Sequence, residues 1–316
     1  MRVFITGATG FAGSFLVEDL LGAGHDVLAL VHPATSHQGL PDHPRAHPLL
    51  GDLLDLAALK EAVSDARPDV IYHLAGQAYP SRSWGDPART LAINAGGTAN
   101  VLEAAVTCGR PRVVIVTSAE VYSPSGPEDL PLTENSPVVP RDPYGISKLA
   151  AGQLARVYWA RHRLPVVEAR PFNHIGPRQA PGFVVPDFAS QLAAIMLGQR
   201  PPQMQVGNLE AQRDFTDVRD VAAAYQRLAE AGEPGACYLI CSGKAVRIRE
   251  VLDTLIELAA IDVDVQQDPA RMKPADTPCL YGSYARIEAA TGWRPRIPLR
   301  QSLSDALADW QARLAG

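Results

Sequence analysis

Cysteine is scarce in this chain and carries no pattern. Cys108, Cys237, Cys241 and Cys279 form no Cys-x-x-Cys pair and no metal-ligand spacing, which excludes a zinc ribbon, a thioredoxin-type centre and a disulfide scaffold. They read as buried thiols in a reducing compartment. Cys237 and Cys241 end one predicted strand, Cys-Tyr-Leu-Ile-Cys, and no disulfide between them is expected. Positive charge is not in excess: 29 Lys and Arg stand against 34 Asp and Glu, a net charge of −5, so a general nucleic-acid-binding face is not expected. No apolar run approaches the length of a membrane span. The first apolar stretch is one strand long and breaks into glycines, unlike a secretory leader. These absences predict a cytoplasmic protein with no metal, no membrane and no nucleic-acid partner. What remains is a chain of 316 residues, 47% hydrophobic, enough for a large α/β domain with a smaller appended lobe.

Through the first half, apolar runs alternate with helical patterns. Strands are predicted over Val3–Thr6, Asp26–Val31, His47–Leu50, Asp69–Leu74, Val113–Thr117 and Val166–Arg170. Helices are predicted over Phe11–Leu21, Leu56–Ala66, Pro87–Cys108 and Pro143–Arg161. Such alternation means parallel strands joined by right-handed crossovers, a Rossmann-type doubly wound sheet with a ligand at the carboxyl ends of its strands. After Arg170 the pattern changes. Residues 171–177 read as a loop. Asp187–Gly198, Val218–Ala231, Glu250–Ala260 and Gln301–Leu314 read as helices, and Leu239–Cys241 as a short strand. The second half is thus a smaller mixed α/β lobe whose Val218–Ala231 helix returns to the sheet. The expected units are 1–171 with about 214–241, and 172–213 with 242–316.

The strongest local motif is Gly7-x-x-Gly10-x-x-Gly13, which leaves a strand and opens a helix. In that context the first glycine permits a sharp turn, the second lets backbone N–H groups approach a dinucleotide pyrophosphate, and the third lets helix pack on sheet. The second strand ends Leu30-Val31-His32-Pro33. It lacks the acid that grips the adenosine ribose of NAD, so His32, Ser36 and Arg45 become candidates for a 2′-phosphate. NADPH is favoured over NADH, with either cofactor as the alternative. Asp52, in Gly51-Asp-Leu-Leu, is read two ways, as an acceptor for the adenine amino group or as the cap of the following helix.

Tyr144 and Lys148 lie at i and i+4 on a helix that Pro143 opens. A free phenol with a pKa of ~10 is a poor proton-transfer group at neutral pH. A nearby ammonium and an oxidised nicotinamide are expected to lower it. Ser118 ends the fifth strand, where a hydroxyl can orient a substrate carbonyl or cap a turn. Thr117 points elsewhere by alternation. Glu120 is either a second acid–base group or a solvated loop carboxylate.

Gly7–Gly13, Ser118, Tyr144 and Lys148 resemble the extended short-chain dehydrogenase/reductase superfamily. His73-Leu-Ala-Gly-Gln-Ala-Tyr79 and Asn94-Ala-Gly-Gly-Thr98 are similar to its sugar-nucleotide branch. Arg170–Pro177, Phe183–Asp187, Val206–Asp220, Asp268–Met272 and Thr291–Pro295 resemble the GDP-4-dehydro-6-deoxy-D-mannose reductases, which form GDP-D-rhamnose. The resemblance runs nearly end to end. It implies an NAD(P)H-dependent reduction of a GDP-sugar ketone at C4, with Ser118 and Tyr144 on the carbonyl oxygen and Lys148 behind the tyrosine. It implies cofactor contacts at Gly7, Thr9, Gly10, Phe11, Ala12, His32, Asp52, Leu53, Leu74, Ala75, Gly76, Tyr144, Lys148 and Pro171. It also implies substrate contacts: Asn173 at the diphosphate, Val184 and Val185 at the guanosine, Arg213 at phosphate, and Asp276 at the ribose. Lys273 stands where the family usually has arginine, a point charge in place of a planar fork, and Arg271 is placed to assist.

The same resemblance leaves a second chemistry open. GDP-mannose 4,6-dehydratases use a glutamate two residues after the Ser/Thr as a base, and Glu120 occupies that place. Against this reading, the chain lacks their arginine- and serine-rich insertion after the second strand. It reads His174-Ile-Gly-Pro-Arg178 where they read Glu-Ser-Pro-Arg-Arg, and Asp214–Asp220 where they carry Trp-Gly-His-Ala-Lys. A GDP-6-deoxy-talose-forming enzyme would look nearly the same. A non-catalytic dinucleotide-binding regulator is a third reading, although such proteins typically lose a tyrosine, lysine or glycine that this chain keeps. The helices at 87–108 and 143–161 resemble the pair that builds a four-helix homodimer interface, with a tetramer as the alternative. Ala95, Gly96, Gly97, Ala150, Ala151 and Gly152 are the small residues that would permit it.

Overall fold

The computed structural model of the chain describes residues 1–34, 39–272 and 277–316. Its first half is the predicted alternation. The elements are β1 (Arg2–Thr6), α1 (Phe11–Gly22), β2 (Asp26–Val31), β3 (Ala46–Leu50), α2 (Leu56–Ala66), β4 (Val70–His73), α3 (Pro80–Ser83), α4 (Pro87–Leu91), α5 (Gly97–Thr107), β5 (Arg112–Val116), α6 (Pro143–His162) and β6 (Val166–Pro171). The second half contains β7 (Asn173–Ile175), α7 (Val184–Met196), β8 (Gln203–Val206), β9 (Gln212–Arg213), β10 (Phe215–Asp217), α8 (Val218–Ala231), β11 (Cys237–Ile240), β12 (Val246–Arg247), α9 (Ile248–Ala259), β13 (Asp264–Gln267), β14 (Cys279–Leu280), α10 (Ala285–Thr291) and α11 (Leu299–Ala315).

Seven strands form one sheet in the order β3-β2-β1-β4-β5-β6-β11, every neighbouring pair parallel. Both faces of the central strands are covered, so these strands are mostly apolar on both sides, the exposed edge strand β3 and the buried Glu168–Arg170 pair of β6 being among the exceptions. Side chains alternate between two clusters as strand geometry requires: Val3, Ile5, Val27, Ala29 and Val114 face α1 and α8, while Phe4, Leu28, Leu30, Val113 and Ile115 face α2 and α5. The order reverses between β1 and β4, and a crevice opens beyond their carboxyl ends.

The second half builds its own core from α7, α9 and α11, with Val185, Phe188, Leu192, Leu252, Leu255 and Leu303 inside it. It returns to the sheet as predicted, through α8 and β11, and again through Ile287 and Trp293, which join the cluster of α1 and α8. Three sequence expectations need correction. Residues 171–177 are not all loop, because Asn173–Ile175 pairs in parallel with Phe215–Asp217. A three-residue strand is too short to show a period. The predicted helix at 87–108 is interrupted by a wider π turn over Ala92–Gly96. Helix α7 begins at Val184, not Asp187, since Pro186 sits in its first turn, where a missing N–H costs nothing.

Candidate active site

Gly7 adopts φ +77°, which other residues rarely adopt. A Cβ on Gly13 would lie 2.0 Å from Gly7 O, so only glycine lets α1 start directly against the turn. Gly10 N–H donates to Gly7 O at 3.0 Å and Gly10 caps α1 with no side chain in the way. The opening turn of α1 therefore faces the crevice with free backbone donors, the arrangement a pyrophosphate needs. Thr9, Gly10, Phe11, Ser14, Glu18 and Arg178 line a cleft of about 370 Å³ there. Leu74 and Ala75 follow β4 and Gly76 is exposed beside them. Pro171 closes β6 against Ile240.

The proton-transfer residues meet on the crevice side of β5. Asp142 caps α6 by accepting from Gly145 N–H at 2.6 Å, with Pro143 at the first helical position. A Cβ on Gly145 would lie 2.6 Å from Glu120 O, so this glycine lets α6 press against the Ser118 turn. The Ser118 side chain is close enough to Tyr144 to act on its phenol. Ser118 also accepts from Glu120 N–H at 3.2 Å, so it both caps the turn and meets the phenol. Lys148, buried, donates to Val116 O at 3.0 Å, and its ammonium lies 5.9 Å from the centre of the Tyr144 ring. Burial pushes the Lys148 ammonium down to about 8. The chain's own groups act on the tyrosine in the direction opposite to the lowering expected of an oxidised nicotinamide. Burial pushes the Tyr144 phenol well above its ordinary value, the Ser118 side chain opposes this, and the charges of Glu120 and Asp142 add to it. The phenol is thus kept protonated at neutral pH, as a proton donor must be. Glu120 is half-buried beside it.

Sequence reasoning quoted the segments around His73 and Asn94 without giving either residue a role. Asn94, in the π turn, donates to Gln77 O at 3.1 Å and Ser147 Oγ at 2.9 Å and accepts from Gln77 N–H at 2.8 Å. Ser147 donates to Tyr144 O at 2.7 Å. Asn94 therefore ties the loop after β4 to the tyrosine's own turn, and the π turn, a common mark of functional sites, is its local signal. His73 bridges Thr6 Oγ1 at 2.7 Å and Thr98 Oγ1 at 3.0 Å, while Thr98 donates to Asn94 O at 2.6 Å. That chain of donors assigns the proton to His73 Nε2. Burial first, and the Lys148 charge second, hold the imidazole down to about 3. His174 was also passed over. Its ring stacks on Phe11 with centroids 5.6 Å apart.

At the adenosine end, His32 follows β2 and its Nε2 lies 3.6 Å from Asp52 Oδ2. The second strand has no acid at its carboxyl end, but Asp52, just past the neighbouring β3, stands there. Asp52 does not cap α2. It accepts from Leu54 N–H at 3.0 Å, and Asp55 is the cap, accepting from Ala58 N–H at 3.0 Å. Leu53 is buried against α5. Arg45 is at the wrong end of the sheet: its guanidinium donates to Gly24 O, beside the amino ends of β2 and β3. Ser36 lies outside the described residues.

In the second half, Asn173 stands half-buried on β7, one residue past Phe172. Val184 is half-buried at the head of α7, but Val185 is 0% exposed in the lobe core, so its side chain cannot line a pocket. Arg213 donates to Gln212 O at 2.8 Å and Thr277 O at 2.7 Å. The Asp214 carboxylate is instead held by Ser242 N–H at 2.6 Å, Ser242 Oγ at 2.7 Å and Gly243 N–H at 3.0 Å. Arg271 pairs with Asp187 at 2.7 Å, at the head of α7. Lys273 and Asp276 lie outside the described residues. Among the described residues no cluster of His, Cys, Asp or Glu could hold a metal ion.

A profile of the family described as GDP-mannose 4,6 dehydratase matches residues 4–306. The chain is 39% identical over 314 residues to GDP-6-deoxy-D-mannose reductase of Pseudomonas aeruginosa, covering 99% of this chain and 98% of that protein. It is 28% identical over 331 residues to GDP-mannose 4,6 dehydratase of Cricetulus griseus, covering 93% and 87%. The solved structure of RMD from Pseudomonas aeruginosa complexed with NADPH matches with a TM-score of 0.87 and 38% identity, over 99% of each chain. A match of this length on this fold makes the chain a member of the GDP-mannose 4,6 dehydratase family, whose matched relatives include both a dehydratase and a reductase.

Proposed function

We propose that this protein reduces the C4 ketone of GDP-4-dehydro-6-deoxy-D-mannose to GDP-D-rhamnose with NADPH. The observation that carries the reading is the Ser118–Tyr144–Lys148 group at the end of β5 and on α6, its tyrosine and lysine buried. It stands in a chain 39% identical to GDP-6-deoxy-D-mannose reductase. NADPH is favoured because the RMD structure that matches over 99% of the chain is complexed with it.

The glycine cradle fits a dinucleotide, since a Cβ at Gly13 would strike Gly7 O. Gly7, Thr9, Gly10, Phe11 and Ala12 would hold its pyrophosphate, and Leu74, Ala75, Gly76 and Pro171 would flank its nicotinamide half. When bound, the reduced nicotinamide supplies the hydride. Ser118 and Tyr144 hydrogen-bond the ketone oxygen and orient it. Tyr144 gives its proton to that oxygen as charge builds there. Lys148, its ammonium 5.9 Å from the ring centre, would stabilise the phenolate until it is reprotonated. Arg213, Arg271, Asn173 and the head of α7 at Val184 would receive the GDP moiety, with Lys273 and Asp276.

One observation favours the dehydratase as second reading. Glu120 is close enough to Tyr144 for its charge to act on the phenol, where a base for C5 would stand. Paired incubations separate the two. If GDP-4-dehydro-6-deoxy-mannose consumes NADPH while GDP-mannose with NADP⁺ is inert, the reductase stands, and NMR at the product C4 distinguishes rhamnose from 6-deoxy-talose. Formation of the 4-keto sugar from GDP-mannose would make Glu120 the working base.

The division of labour we favour is 1–171 with about 214–241 for the cofactor and 172–213 with 242–316 for the GDP-sugar, although Ile287 and Trp293 pack with the sheet side. The homodimer expectation shifts its footing. Gly97 packs on Leu53 and Gly152 on Glu168 within the chain, so the exposed Leu91, Ile146 and Val157 on α4 and α6 would be the contact. No helix among the described residues is long and apolar enough to cross a membrane.

A further inference from the structure

Beneath the Ser118 turn lies an ion pair that the reaction does not use. Glu168 and Arg170, on β6, are 3% and 2% exposed and meet at 2.7 Å. Thr117, immediately before Ser118, donates to Glu168 Oε1 at 2.7 Å. Tyr122, immediately after the Ala119–Val121 turn, receives Arg170 Nη1 at 2.5 Å, and the guanidinium lies 5.1 Å from its ring centre. The two residues bracketing the turn that carries Ser118 and Glu120 are therefore both bonded to one buried pair. Thr117 and Tyr122 are each 2% exposed. Glu168 Oε2 is buried with no hydrogen-bond partner. A buried pair in this condition is a weak source of stability, since an apolar pair of similar volume often does as well. Its effect lies in orientation.

We propose that Glu168 and Arg170 are positioning residues, a jig that sets the Ser118 hydroxyl against Tyr144 by gripping the turn at both ends. The proposal rests on Ser118 and Tyr144 sharing one carbonyl oxygen, as in the reading above. It holds for either GDP-sugar reaction, so wild-type turnover of whichever substrate is consumed serves as the reference. Thr117→Val and Tyr122→Phe each remove one grip without touching a charge. Each should lower kcat about tenfold, with KM for the cofactor unchanged, because misplacement by a fraction of an ångström is costly to chemistry and not to binding. Thr117→Ser should restore kcat. The deciding measurement repeats Thr117→Val and Tyr122→Phe in a Ser118→Ala background. If the grip acts through Ser118, neither lowers kcat further. Full multiplicative loss in that background, or unchanged kcat in the folded single variants, would overturn the proposal. Failure of the reductase reading would show separately, as a wild-type chain that turns over GDP-mannose and not the ketone.

Discussion

The end of the site we assign to proton transfer and the end we assign to the nucleotide are built differently. Ser118, Tyr144 and Lys148 stand on the end of a central strand and on a 20-residue helix. Tyr144 and Lys148 are buried, and the backbone around the three is tied through Asn94, Ser147 and Val116. Arg213 and Arg271 stand on a two-residue strand and a three-residue turn, and Arg271 is held by a half-exposed pair with Asp187. Chemistry needs atoms fixed to a fraction of an ångström. Recognition of a large anionic ligand adds many weaker contacts and tolerates mobile side chains.

Tests of that contrast run from large effects to small. Tyr144→Phe should lower turnover by about 10²–10⁴-fold, the scale of a lost general acid, with GDP affinity nearly unchanged. Equal turnover would remove the tyrosine from the mechanism. Gly13→Ala forces a Cβ to within 2.0 Å of Gly7 O. It should cost about 1–3 kcal/mol in a denaturant titration and weaken NADPH binding by calorimetry. Both losses are larger than any single arginine at the other end should produce.

The pH dependence sharpens the comparison through two buried groups at the chemical end. Lys148, pushed by burial to about 8, should lose its ammonium above that pH, so kcat falls as pH rises through about 8. Stability moves oppositely. Between about 8 and the ordinary 10.5, the unfolded chain binds a proton that the folded chain has released, so this group's contribution rises with pH. His73, held down to about 3, acts in acid. Below its ordinary 6.5 the unfolded chain takes up a proton that the folded chain refuses, so stability is lost as pH falls from 6.5 towards 3. A pH–rate profile beside urea titrations at each pH checks both signs. The smallest effect belongs to Arg271→Ala. A surface pair contributes up to about 1 kcal/mol, so unfolding should barely change while KM for the GDP-sugar rises. A larger loss of stability than of substrate affinity would break the contrast.

Legibility in the sequence follows the same division. The strands of the large sheet were readable because each is an apolar run bounded by turns. The glycine loop was readable because its spacing has one physical use. The i, i+4 spacing of Tyr144 and Lys148 was readable because a helix places both on one face. Asn94 had no signal in the sequence, since the π turn that marks it is visible only in the fold. Strands β7, β9 and β12 are two or three residues long, below the length at which alternation can be seen. Val185 was misjudged because a valine in a first turn looks the same whether it faces a pocket or a core.

By itself the sequence determined the parallel doubly wound sheet, the glycine turn that opens α1 and the placing of Tyr144 and Lys148 on one helix face. Each is written in local spacing and composition, which backbone geometry converts directly into form. The tertiary structure alone decided which way the tyrosine pKa moves, which acid reaches the tip of β2, and what stands behind Ser118. Those depend on burial and on partners up to about 50 residues away, as between Thr117 and Glu168, and no local pattern encodes a contact at that distance.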